Sequence, residues 1–266
     1  MAAALDARYP PETAESWDRV GLVLGRPERT VQRALLVVDC VPETIAEAIA
    51  ADAQLIIAHH PLLLRGVSSV APTNHKGRAV HDLIEAGIAL YVAHTNADIA
   101  DPGVSDALAQ RLELTGLRPL HPSAPGASTG VGRVGNLHGV MTLAEFTAHA
   151  ADRLPETVWG VRAAGDPDRT VITVAVSGGA GDSYLADATA AGADVYLTSD
   201  LRHHPASEHL ADHGPALVDA AHWATERPWL DLVADALRTD LGLDTIVSDV
   251  VTDPWTLHAS RSGLPR

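Results

Sequence analysis

Residues 34–61, ALLVVDCVPETIAEAIAADAQLIIAHHP, read as a strand, a helix and a second strand in succession. ALLVVD at 34–39 and QLIIA at 54–58 are short apolar runs rich in β-branched residues, the pattern of strands buried within a sheet. Between them lies PETIAEAIAA at 42–51. Its proline suits a first helical turn, and Glu43 and Glu47 suit the positive N-terminal half of a helix. The unit is β-α-β, and strands alternating with helices in this way predict a largely parallel sheet.

Working outward, residues 77–86 predict a helix closed by Gly87, residues 88–92 (IALYV) a strand and residues 104–114 a helix. His59 and His60 follow one strand, and His94 and Asp98 follow another. Ligand-type residues therefore collect at the carboxyl edge of the sheet, where open α/β sheets place their sites. Residues 120–135, LHPSAPGASTGVGRVG, are rich in Gly, Pro and Ser and read as a link between lobes. Beyond it the sequence predicts a helix over 143–153, strands over 157–162 and 170–177, a helix over 183–191, and strands over 194–198 and 216–219. A long amphipathic helix over 225–241 follows, with Leu230, Val233, Leu237 and Leu241 at three- and four-residue spacing. The expected fold class is α/β, in two α/β lobes. Residues 1–124 carry His59, His60 and Asp98; residues 125–266 carry His222 and Glu226, and their C-terminal helix can pack back on the first lobe.

The chain has 266 residues, 34 acidic and 19 basic, for a formal charge of −15. With no surplus of Lys and Arg to neutralise a phosphate backbone, extended nucleic acid is disfavoured as a partner. One cysteine, Cys40, forms no intrachain disulfide, so the expected compartment is cytoplasmic. No apolar run approaches the roughly 20 residues of a membrane span, and no signal peptide or anchor is expected at the start.

Three fragments carry chemistry. In extended chain the side chains of His59 and His60 would point to opposite sides, which suits two ions a few ångströms apart better than one. Asp98 is the natural bridge, because a carboxylate can span two ions of a dinuclear centre and a neutral imidazole cannot. His222 and Glu226, spaced i, i+4 in AHWATE, would face the same way at the start of a helix. Each fragment also has a plainer reading: loop histidines, an Asp that caps a helix, a solvated helix face. A fourth feature is the loop SGGAGD at 177–182, whose Gly178, Gly179 and Gly181 could bring backbone N–H groups to an anionic substrate. A tight strand-to-helix turn explains it equally well. No GxSxG elbow, Cys/His nucleophile pair, HExxH motif or zinc-type cysteine set is present.

Taken in order, five stretches resemble the family of GTP cyclohydrolase I type 2 homologues, also called Nif-three-like dinuclear-metal proteins. They are AESWDRVGLVLG at 14–25, IIAHHPLLLRG at 56–66, AHTNADIADPGVSDALAQRL at 93–112, SGGAGDSYLADATAAGADVYLTSD at 177–200 and LVDAAHWATE at 217–226. The resemblance covers nearly the whole chain. It implies a pair of divalent metal ions, zinc, iron or manganese, held by His59, His60, Asp98, His222 and Glu226 in the cleft between the lobes, and a homo-oligomer in the form of a hexameric ring. Arg19 stands where the family commonly has Asn, and Ser199 and Ala221 where it has Gly. The function implied is a metal-dependent hydrolase acting on a small nucleotide-like substrate, with His94 or His204 moving the proton. A non-catalytic metal-binding scaffold or regulator, and a metal-dependent phosphoesterase, are the alternatives that the same residues allow.

Overall fold

The structure, a computed structural model, describes residues 1–259. In chain order the elements are α1 (Ala2–Arg8), β1 (Gly21–Leu24), β2 (Arg33–Val37), α2 (Pro42–Ala50), β3 (Leu55–Ala58), α3 (His75–Ala86), β4 (Ala89–Val92), α4 (Thr95–Ile99), α5 (Val104–Arg111), β5 (Thr115–Pro122) and β6 (Gly130–Thr142). They continue with α6 (Leu143–Arg153), β7 (Val161–Ala164), β8 (Thr170–Ala180), α7 (Leu185–Ala190), β9 (Val195–Ser199), α8 (His203–Ala211), β10 (Ala216–Ala220), α9 (His222–Leu241) and β11 (Asp244–Val247). Among the described residues no helix is long and apolar enough to cross a membrane.

Two compact units result, each built on its own sheet. The first comprises Met1–Ala107, Pro122–Gly132 and Glu226–Thr252. Its sheet has the order β1-β4-β3-β2-β11, with β11, β2, β3 and β4 parallel and β1 antiparallel on β4. Leu35, Val37, Ile45, Ile56, Leu83 and Leu90 are all buried and form its core, as the unbroken apolar runs predict. Helix α3 is closed as expected by Gly87 at φ 70°, a left-handed conformation that glycine adopts without strain. The second unit comprises Leu108–His121, Arg133–Thr225 and, among the described residues, 253–259. Its sheet has the order β5-β6-β8-β9-β10-β7; β8, β9 and β10 are parallel, and β6 and β7 run antiparallel to their neighbours β8 and β10. Phe146, Val174, Val195, Leu197 and Val218 are buried in its core.

The division is not a single cut near residue 124. After α9 the chain adds β11 to the open edge of β2, where Asp244–Val247 satisfies backbone groups that an edge strand would otherwise expose. Arg33 Nε donates to Asp244 Oδ2 at 2.6 Å beside that pairing. Glu226 thus belongs with the first unit, whereas His222, four residues earlier on the same helix, belongs with the second. The expected linker is also largely strand: 115–122 and 130–142 are β5 and β6. Four glycines weaken the intrinsic preference of β6 for strand, and its pairing with β8 overrides them.

Candidate metal centre

Three adjacent parallel strands of the first unit end in polar residues. Asp39 follows β2, His59 and His60 follow β3, and His94 and Asp98 follow β4. Strand β1 pairs Gly21 with Val92, so the residues just before it, Asp18 among them, lie at that same end of β4. The backbone bends directly after β3 instead of continuing extended. The rings of His59 and His60 therefore converge, with centroids 5.1 Å apart, and do not point to opposite sides. His94 joins them: His59, His60 and His94 each offer a ring nitrogen, all within 4.8 Å of one another.

Carboxylates of the first unit close round these rings. His59 Nε2 lies 3.4 Å from Glu226 Oε1 and 3.7 Å from Asp98 Oδ1, and His60 Nε2 lies 3.1 Å from Glu226 Oε2. Helix α4, which carries Asp98, is pinned from both sides: Asn96 Oδ1 accepts from His94 N at 2.9 Å, and Asn96 Nδ2 donates to the Tyr9 carbonyl at 2.8 Å. Trp229 on α9 packs with its ring centroid 5.3 Å from that of His59, tilted by 55°, and donates to Tyr9 Oη at 3.1 Å, which seats α9 and hence Glu226.

In every one of these histidines, Nδ1 is already taken. His59 Nδ1 bonds the Ala93 carbonyl at 2.8 Å, His60 Nδ1 bonds Asp39 Oδ1 at 2.8 Å and His94 Nδ1 bonds Asp18 Oδ1 at 2.9 Å. In the second unit His222 Nδ1 bonds Asp200 Oδ2 at 2.7 Å. Fixing Nδ1 by a carbonyl or carboxylate sets the tautomer and aims Nε2, which is how proteins orient imidazole ligands. The His59 ring is fully buried, and among the described residues its Nε2 has no hydrogen-bond partner. A buried imidazole nitrogen in that condition costs free energy that a cation would recover. The residues present fit a metal ion.

Electrostatics agree. Burial would depress the pKa of His59, but the Glu226 carboxylate, with Asp98, outweighs it and the pKa is raised. For His60 the same contest, won by Glu226 and Asp39, lifts the value to about 10. Burial raises Asp98, opposed by His59 and reinforced by the charge of Glu226. Asp18 is also penalised by burial, yet His94 and the Thr95 amide and hydroxyl hold its carboxyl below the usual range. The cluster thus concentrates negative potential on Nε2 atoms, and a divalent cation answers that potential better than shared protons do.

The remaining predicted residues lie in the second unit. His222 opens α9, one turn before Glu226, and its partner Asp200 sits at φ 57° directly after β9. His204 is exposed at the start of α8, with its ring 5.2 Å from that of His203. Gly178 and Gly179 are inside β8, which runs on to Ala180, and Gly181 follows it. Their polar groups are met from within: Gly179 N donates to Thr225 Oγ1 at 2.9 Å, its carbonyl accepts from Thr198 Oγ1 and Ser199 Oγ, and the Gly181 carbonyl accepts from Tyr196 Oη at 2.9 Å. Sequence reading passed over Asp18, Asp39 and Asp200. All three carried a signal, since each closes or adjoins a stretch already singled out: WDRVG, ALLVVD and YLTSD.

The fold and the cluster together define a two-sheet α/β protein with a histidine–carboxylate group suited to metal. More particularly, residues 1–254 match the family model described as Duf34/NIF3 (NGG1p interacting factor 3), and the chain belongs to that family. A Streptomyces coelicolor protein named GTP cyclohydrolase 1 type 2 homolog is 55% identical over 98% of this chain and 94% of its own. A Clostridium perfringens protein of the same name is 34% identical over 92% and 94%. Among solved structures, a hypothetical protein from Staphylococcus aureus superposes with a TM-score of 0.87 at 28% identity, covering 97% of both chains. Reduced HcgD from Methanocaldococcus jannaschii gives 0.75 at 27% identity, covering 93% and 96%.

Proposed function

We propose that this chain is a dinuclear-metal-dependent hydrolase acting on a small nucleotide-like molecule, with His59, His60, Asp98, His222 and Glu226 as ligands. The observation that carries the reading is the uniform engagement of Nδ1 in His59, His60, His94 and His222, which aims four Nε2 atoms. The names of the relatives favour a nucleotide of the GTP type as substrate. Two divalent ions of zinc, iron or manganese, when bound by these residues, would supply positive charge at a scissile bond and lower the pKa of water. The protein supplies the rest. Glu226, buried at the meeting of His59 and His60, would balance the added charge, and Asp98, with an oxygen 3.7 Å from His59 Nε2, would be a further carboxylate ligand. His94 is the proton carrier in this reading: it stands beside His59 and His60, and Asp18 steadies its ring for proton transfer at Nε2.

The test pairs metal analysis with a turnover screen. Purified protein is stripped, reloaded with each ion in turn, and assayed against GTP, nucleoside monophosphates and phosphodiesters. Two ions per chain with metal-dependent turnover that His94→Gln abolishes, while metal content is unchanged, is the expected result. Full metal content in a His59→Ala/Asp98→Ala variant would sink the ligand assignment. Full loading with no turnover of any of these substrates would sink the enzymatic reading alone.

A further inference from the structure

The parallel strands β3 and β4 that deliver His59, His60 and His94 at their carboxyl ends open a cavity at their amino ends. It has a volume of about 760 Å³ and lies wholly within the first unit, between α1, β1, the turn after β1 and the end of α3. That volume falls in the roughly 300–1,000 Å³ range of small-molecule sites. Leu55 and Ala89, which line it, open β3 and β4, whereas His59, His60 and His94 lie beyond the other ends of those strands, so it is a different place.

Its walls are of two kinds. Leu22, Leu24 and Val31, all half-buried, and exposed Ile84 supply an apolar surface. At the rim stand Arg26 and Arg29, both exposed. In a chain of net charge −15, no carboxylate pairs with either guanidinium among the described residues. Asp6, near by on α1, is occupied by Tyr91 Oη at 2.7 Å, and Asp52 is the one acidic side chain in the lining. Arg29 is also held in place. Its Nη1 donates to the Gly87 carbonyl at 3.0 Å, and a Cβ on Gly87 would fall 2.7 Å from that nitrogen, so the guanidinium lies across a turn that only glycine leaves open. One of five N–H donors is spent there, and the other four are available to an anion.

We propose that this cavity binds an amphipathic carboxylate, its hydrocarbon chain against the leucines and its head group between Arg26 and Arg29. Positive charge at the rim and apolar walls within are the complement of that ligand class, and of neither a sugar nor a polyanion. Nothing in the proposal depends on the metal centre.

The test is calorimetric titration of the full chain with decanoate, below its micelle concentration, and with decanol as the uncharged counterpart. Saturable binding of one decanoate per chain is expected, equal in metal-stripped and metal-loaded protein. Decanoate should bind at least about tenfold more weakly to Arg26→Ala/Arg29→Ala, with decanol affinity unchanged. Both arginines are exposed, so thermal unfolding of the variant should match that of the parent; Arg26→Gln alone provides a milder second variant with an intermediate loss. Absence of saturable decanoate binding, or equal affinity in parent and double variant, overturns the proposal.

Discussion

Two regions of this molecule are built alike and differ in one respect. In both sheets, three neighbouring parallel strands end together: β2, β3 and β4 in the first unit, β8, β9 and β10 in the second. At the ends of the first set, His59, His60 and His94 are each held through Nδ1, and Nε2 of buried His59 is left without a hydrogen bond among the described residues. At the ends of the second set, the glycine-rich segment meets its own needs: the Gly179 amide, its carbonyl and the Gly181 carbonyl all have partners inside the unit. A strand end becomes a site where its polar groups are oriented but not satisfied. Where they are satisfied, as in the Gly179–Gly181 segment, the strand end is scaffold.

The largest effect expected from that difference is on metal retention. Replacing His59 by Ala should lower apparent metal affinity by more than about 100-fold, since even a residue that merely orients a ligand is worth about 10–100-fold. Asp39→Asn tests an orienting residue itself, the partner of His60 Nδ1, and should fall within that 10–100-fold range while the secondary structure is kept. Competition with a chromogenic chelator measures both. If Asp39→Asn bound metal as the parent does, the Nδ1 contacts would be packing and not orientation.

The second region should respond to the opposite measurement. A Cβ on Gly181 would stand 2.2 Å from Thr198 Oγ1 and 2.3 Å from Tyr196 Oη, in a buried spot where neither neighbour can withdraw. Gly181→Ala should therefore cost about 1–3 kcal/mol of stability, as overpacking does, and leave metal content untouched. Denaturant titration and metal analysis of the one variant decide it. A variant of parental stability that lost substrate affinity would show that the loop serves the ligand after all.

How far this contrast was legible beforehand depended on what kind of signal each residue carried. The unbroken apolar runs of β2, β3 and β4 fixed the first sheet within a residue or two, and Gly87 marked the end of α3. Residues 120–135 carry a linker pattern although 130–135 open β6, because Gly130, Gly132 and Gly135 lower strand propensity locally, while the stabilising pairing with β8 comes from residues some 40 positions away, beyond the reach of any local pattern. β11 was passed over for a similar reason: a four-residue run becomes a strand only because β2 offers an open edge. In the candidate site, the histidines were visible as ligand types at strand ends. Their convergence was not, because extended-chain alternation separates His59 from His60 and only the bend after β3 brings the rings to 5.1 Å. Asp39 shows the limit most plainly. Its residue type and strand-end position were in view, but its role depends on the angle at which it meets His60.

The smallest expected effect concerns a histidine that lies outside either strand-end group. His209 on α8 donates from Nε2 to the Pro215 carbonyl at 3.1 Å and packs so closely on Gly214 that a Cβ there would be 2.4 Å from its ring. Burial lowers its pKa below the ordinary 6.5, opposed by the Pro215 carbonyl and Asp212. The unfolded chain therefore binds the proton more readily than the folded one, and stability rises with pH across that interval. The contribution is complete above about pH 6.5 and is lost as pH falls toward the depressed value. Because much of the ring is solvated, the change should be slight, visible as a smaller acid-side drop in unfolding midpoint for His209→Gln than for the parent between pH 7 and pH 5. Metal content should be the same in both proteins at pH 7. Were the acid sensitivity instead unchanged in His209→Gln and abolished by His60→Gln, the pH response of the fold would belong to the histidine cluster and not to the packing of α8.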